Sequence, residues 1–190
     1  LIMNRKIDLE QERIFENENV LGSNQRKKQE KFFWAVVPKL HEYNDYVNNK
    51  IRNKIVLEIG CSNGESVKRY SKFCKKIIGV DLSDEGIKYA KNLKIKNASF
   101  YLADAHDLPF EEKVFDIVIV NSMLHHLDLN LAFQQIHRVL KTDGKLYARE
   151  PLGTNIIISI YRWLTPDART KDERPFTFQD LKLMKDFFIF

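Results

Sequence analysis

Val56-Leu57-Glu58-Ile59-Gly60-Cys61-Ser62-Asn63-Gly64-Glu65 is the stretch whose reading decides the fold. A short apolar run ends on Gly60, and a helical pattern opens after Gly64. Glycines at such a strand-to-helix turn let the backbone pass close under a ligand, and the following helix presents unpaired N–H groups. Asp81 stands 21 residues beyond Gly60, directly after a second apolar run, Ile77-Ile78-Gly79-Val80. A carboxylate there can accept hydrogen bonds from both hydroxyls of a ribose. Junction and acid together point to an adenosine-containing ligand at the carboxyl end of a first strand.

Outward from this junction, short β-branched runs alternate with helical segments. Residues 54–59, 76–80, 98–102, 115–120 and 145–149 read as strands. Several are continuously apolar, as strands covered on both faces are. Helices are expected at about 65–74, 84–93 and 129–140, the last two capped by Asp84 and Asp128, with the spacing of right-handed βαβ units. Thr142-Asp143-Gly144 reads as a turn into the fifth strand. Upstream, residues 4–50 read as amphipathic helix, with Ile7, Ile14 and Phe15 in one stretch, Phe32, Phe33, Val36, Val37 and Leu40 in another, and Ser23 as a cap between them. Downstream, 156–164 and 178–187 read as helical, the second capped by Thr177.

Composition narrows the class. The chain has 190 residues, 44% of them hydrophobic, which suits one core and a single domain. A formal net charge of +5 carries no long basic block; Arg26-Lys27-Lys28 and Lys75-Lys76 read as solvated surface, so nucleic acid is not the expected partner. Cys61 and Cys74 form no metal or disulfide pattern, which favours a reducing, cytoplasmic setting. No apolar run approaches the roughly 20 residues that span a bilayer, and Leu1 and Ile2 ahead of Met3 read as foreign to the natural start.

The glycine spacing discriminates among adenosine cofactors. A dinucleotide fingerprint is G-x-G-x-x-G, whereas this loop runs Glu58-x-Gly60-x-Ser62-x-Gly64. A pyrophosphate disfavours a carboxylate at the loop; a cofactor with a sulfonium and an ammonium group favours one. Glu58 therefore tilts the reading toward S-adenosyl-L-methionine.

Five stretches in order then carry a resemblance. They are 56–64; Gly79-Val80-Asp81-Leu82-Ser83; Ala103-Asp104-Ala105 with Leu108-Pro109-Phe110; Phe115-Asp116-Ile117-Val118; and Arg138-Val139-Leu140-Lys141-Thr142-Asp143-Gly144-Lys145-Leu146. Over roughly residues 54–150 the chain resembles class I S-adenosylmethionine-dependent methyltransferases of the group that acts on small molecules and sugars. Ser62 departs from the family, which more often has glycine there; serine is small enough to fit.

The resemblance implies an α/β fold, a Rossmann-like doubly wound and mainly parallel sheet of at least five strands. It divides the chain into a helical N-terminal lid over 1–53, a cofactor-binding core over 54–150 and an acceptor-side helical segment over 151–190. By the same resemblance Gly60, Cys61 and Gly64 line the methionine part of the cofactor, and Glu58 orients it. Asp81 holds the ribose, and Leu82 lies on the adenine. Asp104 accepts from the adenine amino group, the backbone of Ala105 contacts the ring, and Asn121 places its backbone near the ammonium. Asp107 and Asp116 read as structural, and Cys61 as no nucleophile, because no histidine is placed to activate it.

Transfer of a methyl group from a sulfonium is an in-line displacement that needs mainly alignment. A hydroxyl acceptor also needs a base, and His126, which aligns with a family histidine, and its neighbour His125 are the candidates. Adjacent side chains diverge and no third ligand is spaced with them, so no metal is expected. Asn121-Ser122-Met123-Leu124 lacks the Pro-Pro-aromatic of amino-methylating relatives. Arg149, Arg162, Arg169 and Arg174 suit an anionic acceptor, Tyr161 and Trp163 read as packing, and Phe32, Phe33 and Trp34 as lid residues. A nicotinamide oxidoreductase and an RNA methyltransferase are the alternatives. Relatives end their sheet with an antiparallel hairpin after the fifth strand, and Asp186-Phe187-Phe188-Ile189-Phe190 stops where a sixth strand would begin, so a truncated sheet is expected.

Overall fold

The computed structural model describes residues 7–20, 37–150, 152 and 174–188. Two helices, α1 (Leu9–Asn19) and α2 (Val37–Lys50), precede the alternating region. That region runs β1 (Ile55–Ile59), α3 (Glu65–Tyr70), β2 (Lys76–Asp81), α4 (Asp84–Asn92), β3 (Ala98–Leu102), β4 (Phe115–Asn121), a 3₁₀ turn (Leu124–His126), α5 (Leu129–Val139) and β5 (Leu140–Arg149). A last helix, α6 (Phe178–Phe187), follows.

The five described strands form one parallel sheet in the order β3-β2-β1-β4-β5. Beginning at β1, the chain builds outward through β2 and β3, then returns to place β4 on the other side of β1. Connections diverge at that reversal and leave a crevice at the carboxyl ends of β1 and β4. Because all strands run the same way, Gly60, Asp81, Asp104, Asn121 and Arg149 come to one edge of the sheet.

Alternation along each strand explains the two-sided burial. Leu57, Ile59, Val118 and Val120 join a cluster with α5 and α6, centred on Phe133 and Ile136. Val56, Ile117 and Ile119 join the opposite cluster with Val47 of α2, Val67 and Tyr70 of α3 and Ile87 of α4. A strand's period of two places Glu58 on the second face, with Val56. This one position turns a carboxylate into a layer otherwise filled with hydrocarbon.

Local signals differ from expectation in four places. Ser83, not Asp84, caps α4, its side chain accepting from the Gly86 N–H. Helix α3 stops at Tyr70 rather than residue 74. The Thr142-Asp143-Gly144 turn is absorbed into β5 as an irregularity: pairing steps from Phe115↔Leu140 to Ile117↔Lys145. On α1 the apolar face is not the buried one, since Ile14 is 49% exposed while Glu12 is 4% exposed. Asp128 caps α5 as expected, and Thr177 caps α6 in a reciprocal box with Asp180.

Asp116 is structural. Its Oδ2 accepts from the Ile55 N–H at 2.8 Å and its Oδ1 pairs with Lys141 Nζ at 2.9 Å, tying the start of β1 to β4 and β5. Burial pushes its carboxyl up, but Lys141 and the Ile55 N–H outweigh that and hold it below the usual range. Phe187 and Phe188 pack their rings on Phe133. Ser23, Phe32, Phe33, Val36, Trp34, Tyr161, Arg162, Trp163, Arg169, helix 156–164 and the last two residues lie outside the described residues. Among the described residues no helix is long and apolar enough to cross a membrane, and no cluster of potential metal ligands forms.

Candidate active site

The glycine loop is fastened to β2. The N–H groups of Gly60 and Cys61 both donate to the Val80 carbonyl, at 2.9 and 3.0 Å. Gly60 has φ +78°, and a Cβ there would come within 2.9 Å of Met123 Cγ. Gly64 has φ +80°, and a Cβ would meet that of Ala90 at 2.8 Å. Both positions thus need glycine for conformation and for room. Ser62 adopts φ +45°, so the glycine common in relatives answers a backbone demand rather than a shortage of space.

Asp81 closes the loop from the other side. Its Oδ2 accepts from the Ser62 N–H at 2.7 Å and its Oδ1 from the Ser83 N–H at 2.8 Å, and the residue is 6% exposed. One carboxylate therefore sets the loop after β1 against the loop after β2. Cys61 is 2% exposed, and burial, reinforced by Asp81 and Glu58, drives its thiol well above the ordinary range. A thiol held protonated is a poor nucleophile.

Glu58 is the centre of the polar cluster. It is 1% exposed, and burial raises its carboxyl to about 7 against the opposing pull of Ser66, Arg69 and Asn121. Asn121 Nδ2 lies 3.5 Å from Glu58 Oε1 and donates to the Tyr70 hydroxyl at 3.3 Å. Burial and the neighbouring Glu58 raise the Tyr70 hydroxyl as well. Buried polar atoms almost always find partners. Here Glu58 Oε2, Asn121 Oδ1, Ser62 Oγ, Arg69 Nε and the Tyr43 hydroxyl find none among the described residues.

Such a set of anionic acceptor, amide acceptor and cationic donor fits a group carrying both an ammonium and a carboxylate. Tyr43, Arg69 and Tyr70 were not foreseen from the sequence. Arg69 and Tyr70 follow the glycine loop on α3 and could have been suspected from that proximity, whereas Tyr43 arrives from α2 with no local signal.

Elsewhere on the edge, Asp104 Oδ1 accepts from the His106 N–H at 2.9 Å and contacts His106 Nδ1 at 2.7 Å. The other ring nitrogen, Nε2, accepts from the Asp128 N–H at 2.9 Å. That pairing fixes the ring with its proton on Nδ1. Burial raises the Asp104 carboxyl, but the His106 contacts prevail and hold it below the usual range. Ala105 is buried and Leu82 half-buried.

After β4, His125 Nδ1 lies 2.6 Å from Glu150 Oε2, while Glu150 Oε1 accepts from the Met123 and Leu124 N–H groups, both at 2.8 Å. His126 Nδ1 lies 2.7 Å from Glu12 Oε1 of α1. The same helix reaches the far side of the crevice, where Asn17 Oδ1 accepts from Ser83 Oγ at 2.6 Å and Asn17 Nδ2 donates to Asp84 at 2.8 Å. Five residues of helix advance roughly 8 Å, close to the roughly 10 Å between two strands separated by one. Helix α1 thus bridges the ends of β2 and β4 across β1.

Residues 57–148 match the family described as the methyltransferase domain. The chain is 33% identical over 95 residues to the uncharacterized methyltransferase YcgJ of Bacillus subtilis, covering 47% of this chain and 38% of that protein. It is 37% identical over 92 residues to the mitochondrial arginine-hydroxylase NDUFAF5 of Mus musculus, covering 47% of this chain and 26% of that one. The crystal structure of Bacillus subtilis YcgJ superposes with a TM-score of 0.65 at 22% identity, over 77% of this chain and 67% of that one. The matched segment is thus well under half the length of these curated relatives. Fold, glycine loop and family match define the class: the chain carries a class I, S-adenosylmethionine-dependent methyltransferase domain.

Proposed function

We propose that this chain moves a methyl group from S-adenosyl-L-methionine to a small-molecule or sugar-type acceptor bearing a hydroxyl and a negative charge. The observation that carries the reading is the group of partnerless buried polar atoms around Glu58, at the carboxyl ends of β1 and β4. Glu58 and Asn121 Oδ1 take the ammonium of the methionine part, Arg69 and Tyr43 its carboxylate, and Gly60, Cys61 and Gly64 let the backbone lie against it. Asp81 takes the ribose, Leu82 and Ala105 flank the adenine, and Asp104 accepts from its amino group. When bound, the cofactor supplies an activated methyl on a good leaving group, and the protein's contribution is alignment, exclusion of water and management of one proton.

Proton acceptance falls to His126. His125 shares the segment, but its Glu150 partner also holds the two preceding backbone N–H groups, so His125 shapes the loop that presents His126. Arg149, at the end of β5, stacks its guanidinium 5.6 Å from the Tyr43 ring centroid and supports an anionic acceptor. Isothermal titration with S-adenosylhomocysteine and with NAD tests the reading: the first binds and the second does not. Tight NAD binding without S-adenosylhomocysteine binding would sink it. A screen of hydroxylated, carboxylated and phosphorylated acceptors with labelled cofactor then identifies the substrate.

A further inference from the structure

Glu12 has no place in the roles given so far, and its setting is unusual. It lies on α1, 4% exposed, where hydrocarbon was expected. Desolvating a carboxylate costs several kcal/mol unless a partner is supplied, and the partner is His126, itself 10% exposed in its side chain. The two adjacent rings, 4.1 Å apart between centroids, each face their own carboxylate. The two carboxylates differ in origin. Glu150 belongs to the loop it fixes, whereas Glu12 arrives on a helix that also grips Ser83 and Asp84 on the far side of the crevice.

We propose that Glu12 is the positioning residue of His126: it holds the Nδ1 proton, directs Nε2 toward the acceptor hydroxyl, and completes the base only while α1 lies docked across the crevice. The proposal rests on the methyl-transfer reading. In the transfer, the acceptor's O–H proton passes to His126 Nε2, and its oxygen forms the new bond to the methyl carbon. The S–CH₃ bond breaks, and its electron pair stays on sulfur. One positive charge leaves the sulfonium and one appears on the imidazolium, where Glu12 stabilises it. The proton returns to water when the helix lifts to release product. Docking of α1 and readiness of the base are therefore the same event, which keeps His126 from serving as a base in an open site.

Histidine-labelled NMR on the full chain tests this with Glu12→Gln, which preserves shape while the Asn17 contacts keep α1 in place. The wild-type neutral ring of His126, assigned with His126→Asn, carries its proton on Nδ1. In Glu12→Gln the tautomer moves toward Nε2 and the titration midpoint falls by about one pH unit or more; Glu12→Asp recovers part of the shift. With a hydroxyl acceptor from the screen, kcat falls roughly 10–100-fold at neutral pH, its acid limb moves with the ring, and acceptor KM stays within about twofold. An unchanged tautomer and midpoint in Glu12→Gln, with normal S-adenosylhomocysteine binding, overturns the assignment to Glu12 alone. Failure of the wild type to bind S-adenosylhomocysteine overturns the methyl-transfer reading and the base role with it.

Discussion

Replacing Glu58 by glutamine should make the protein more stable at neutral pH while weakening its hold on the cofactor. Glu58 is 1% exposed, and burial lifts its carboxyl from 4.5 to about 7. A raised folded-state value means that, as pH climbs from 4.5 toward 7, the unfolded chain loses this proton while the folded chain keeps it. Stability therefore falls through that window and levels off above it. At about 1.4 kcal/mol per pH unit, the loss is on the order of 3 kcal/mol. Glutamine removes the titration.

Urea melts of wild type and Glu58→Gln at pH 5 and pH 8 isolate the term, because every other group titrates alike in both and cancels in the double difference. The expected result is a variant about as stable as wild type at pH 5 and more stable by roughly 3 kcal/mol at pH 8. Cofactor binding supplies the counterpart. A cation placed against Glu58 requires its ionised form, so binding near pH 7 should release roughly half a proton, read by calorimetry in buffers of different ionisation enthalpy. The variant should release none from this site and bind less tightly by about 1.5–3 kcal/mol, the scale of a hydrogen bond to a charged group. Parallel pH–stability curves for the two proteins would refute the reasoning at its root, by showing that Glu58 does not titrate in that window.

Three further outcomes are expected. Asp81→Ala should weaken S-adenosylhomocysteine by roughly 1–3 kcal/mol, measured by calorimetry; an unchanged dissociation constant places the ribose elsewhere. Ser62→Gly should stabilise the fold by about 0.5–1 kcal/mol, because release of a side chain from φ +45° outweighs the added freedom of the unfolded chain; a lower urea midpoint would contradict this. Cys61 should resist iodoacetamide in the folded protein at pH 8 while a denatured control reacts within minutes, read by mass spectrometry; comparable labelling in both would mean that the loop opens or that the thiol is less buried than 2% exposure implies.

The parts of this molecule legible from sequence are those where local chemistry and tertiary role coincide. The run Val56 to Ile59 is apolar because it is covered on both faces, and its one acid stands out for that reason. Asp128 and Thr177 cap the helices after them because an oxygen two or three residues ahead of unpaired N–H groups finds them whatever the rest of the chain does. Asp84 misleads where Ser83 caps, since either side chain satisfies the local rule and the choice is made by Asp81 drawing in the Ser83 N–H and by Asn17 taking up Asp84. The turn at Thr142-Asp143-Gly144 misleads in the same way: its residues favour a reversal, but pairing with β4 on either side keeps the chain extended and pushes the extra residues out as a bulge.

The least legible feature is also the one with most chemical consequence. Apolar periodicity assigns a helix its buried face on the premise that burial follows hydrophobicity. On α1 that premise selects Ile14, which is 49% exposed, and passes over Glu12, which is 4% exposed. Nothing within a helical turn of Glu12 distinguishes it from Glu10, which is exposed and pairs with Arg13 at 2.9 Å. What separates the two is His126, more than a hundred residues away, and a long-range ion pair leaves no periodic trace in either segment. A buried carboxylate costs several kcal/mol unless it is matched, and hydrocarbon at this position would pack without that cost. Departure from the cheaper solution, at a point where a mobile-in-principle helix meets the loop that follows Asn121, is what directs attention to Glu12 as part of the chemistry rather than part of the packing.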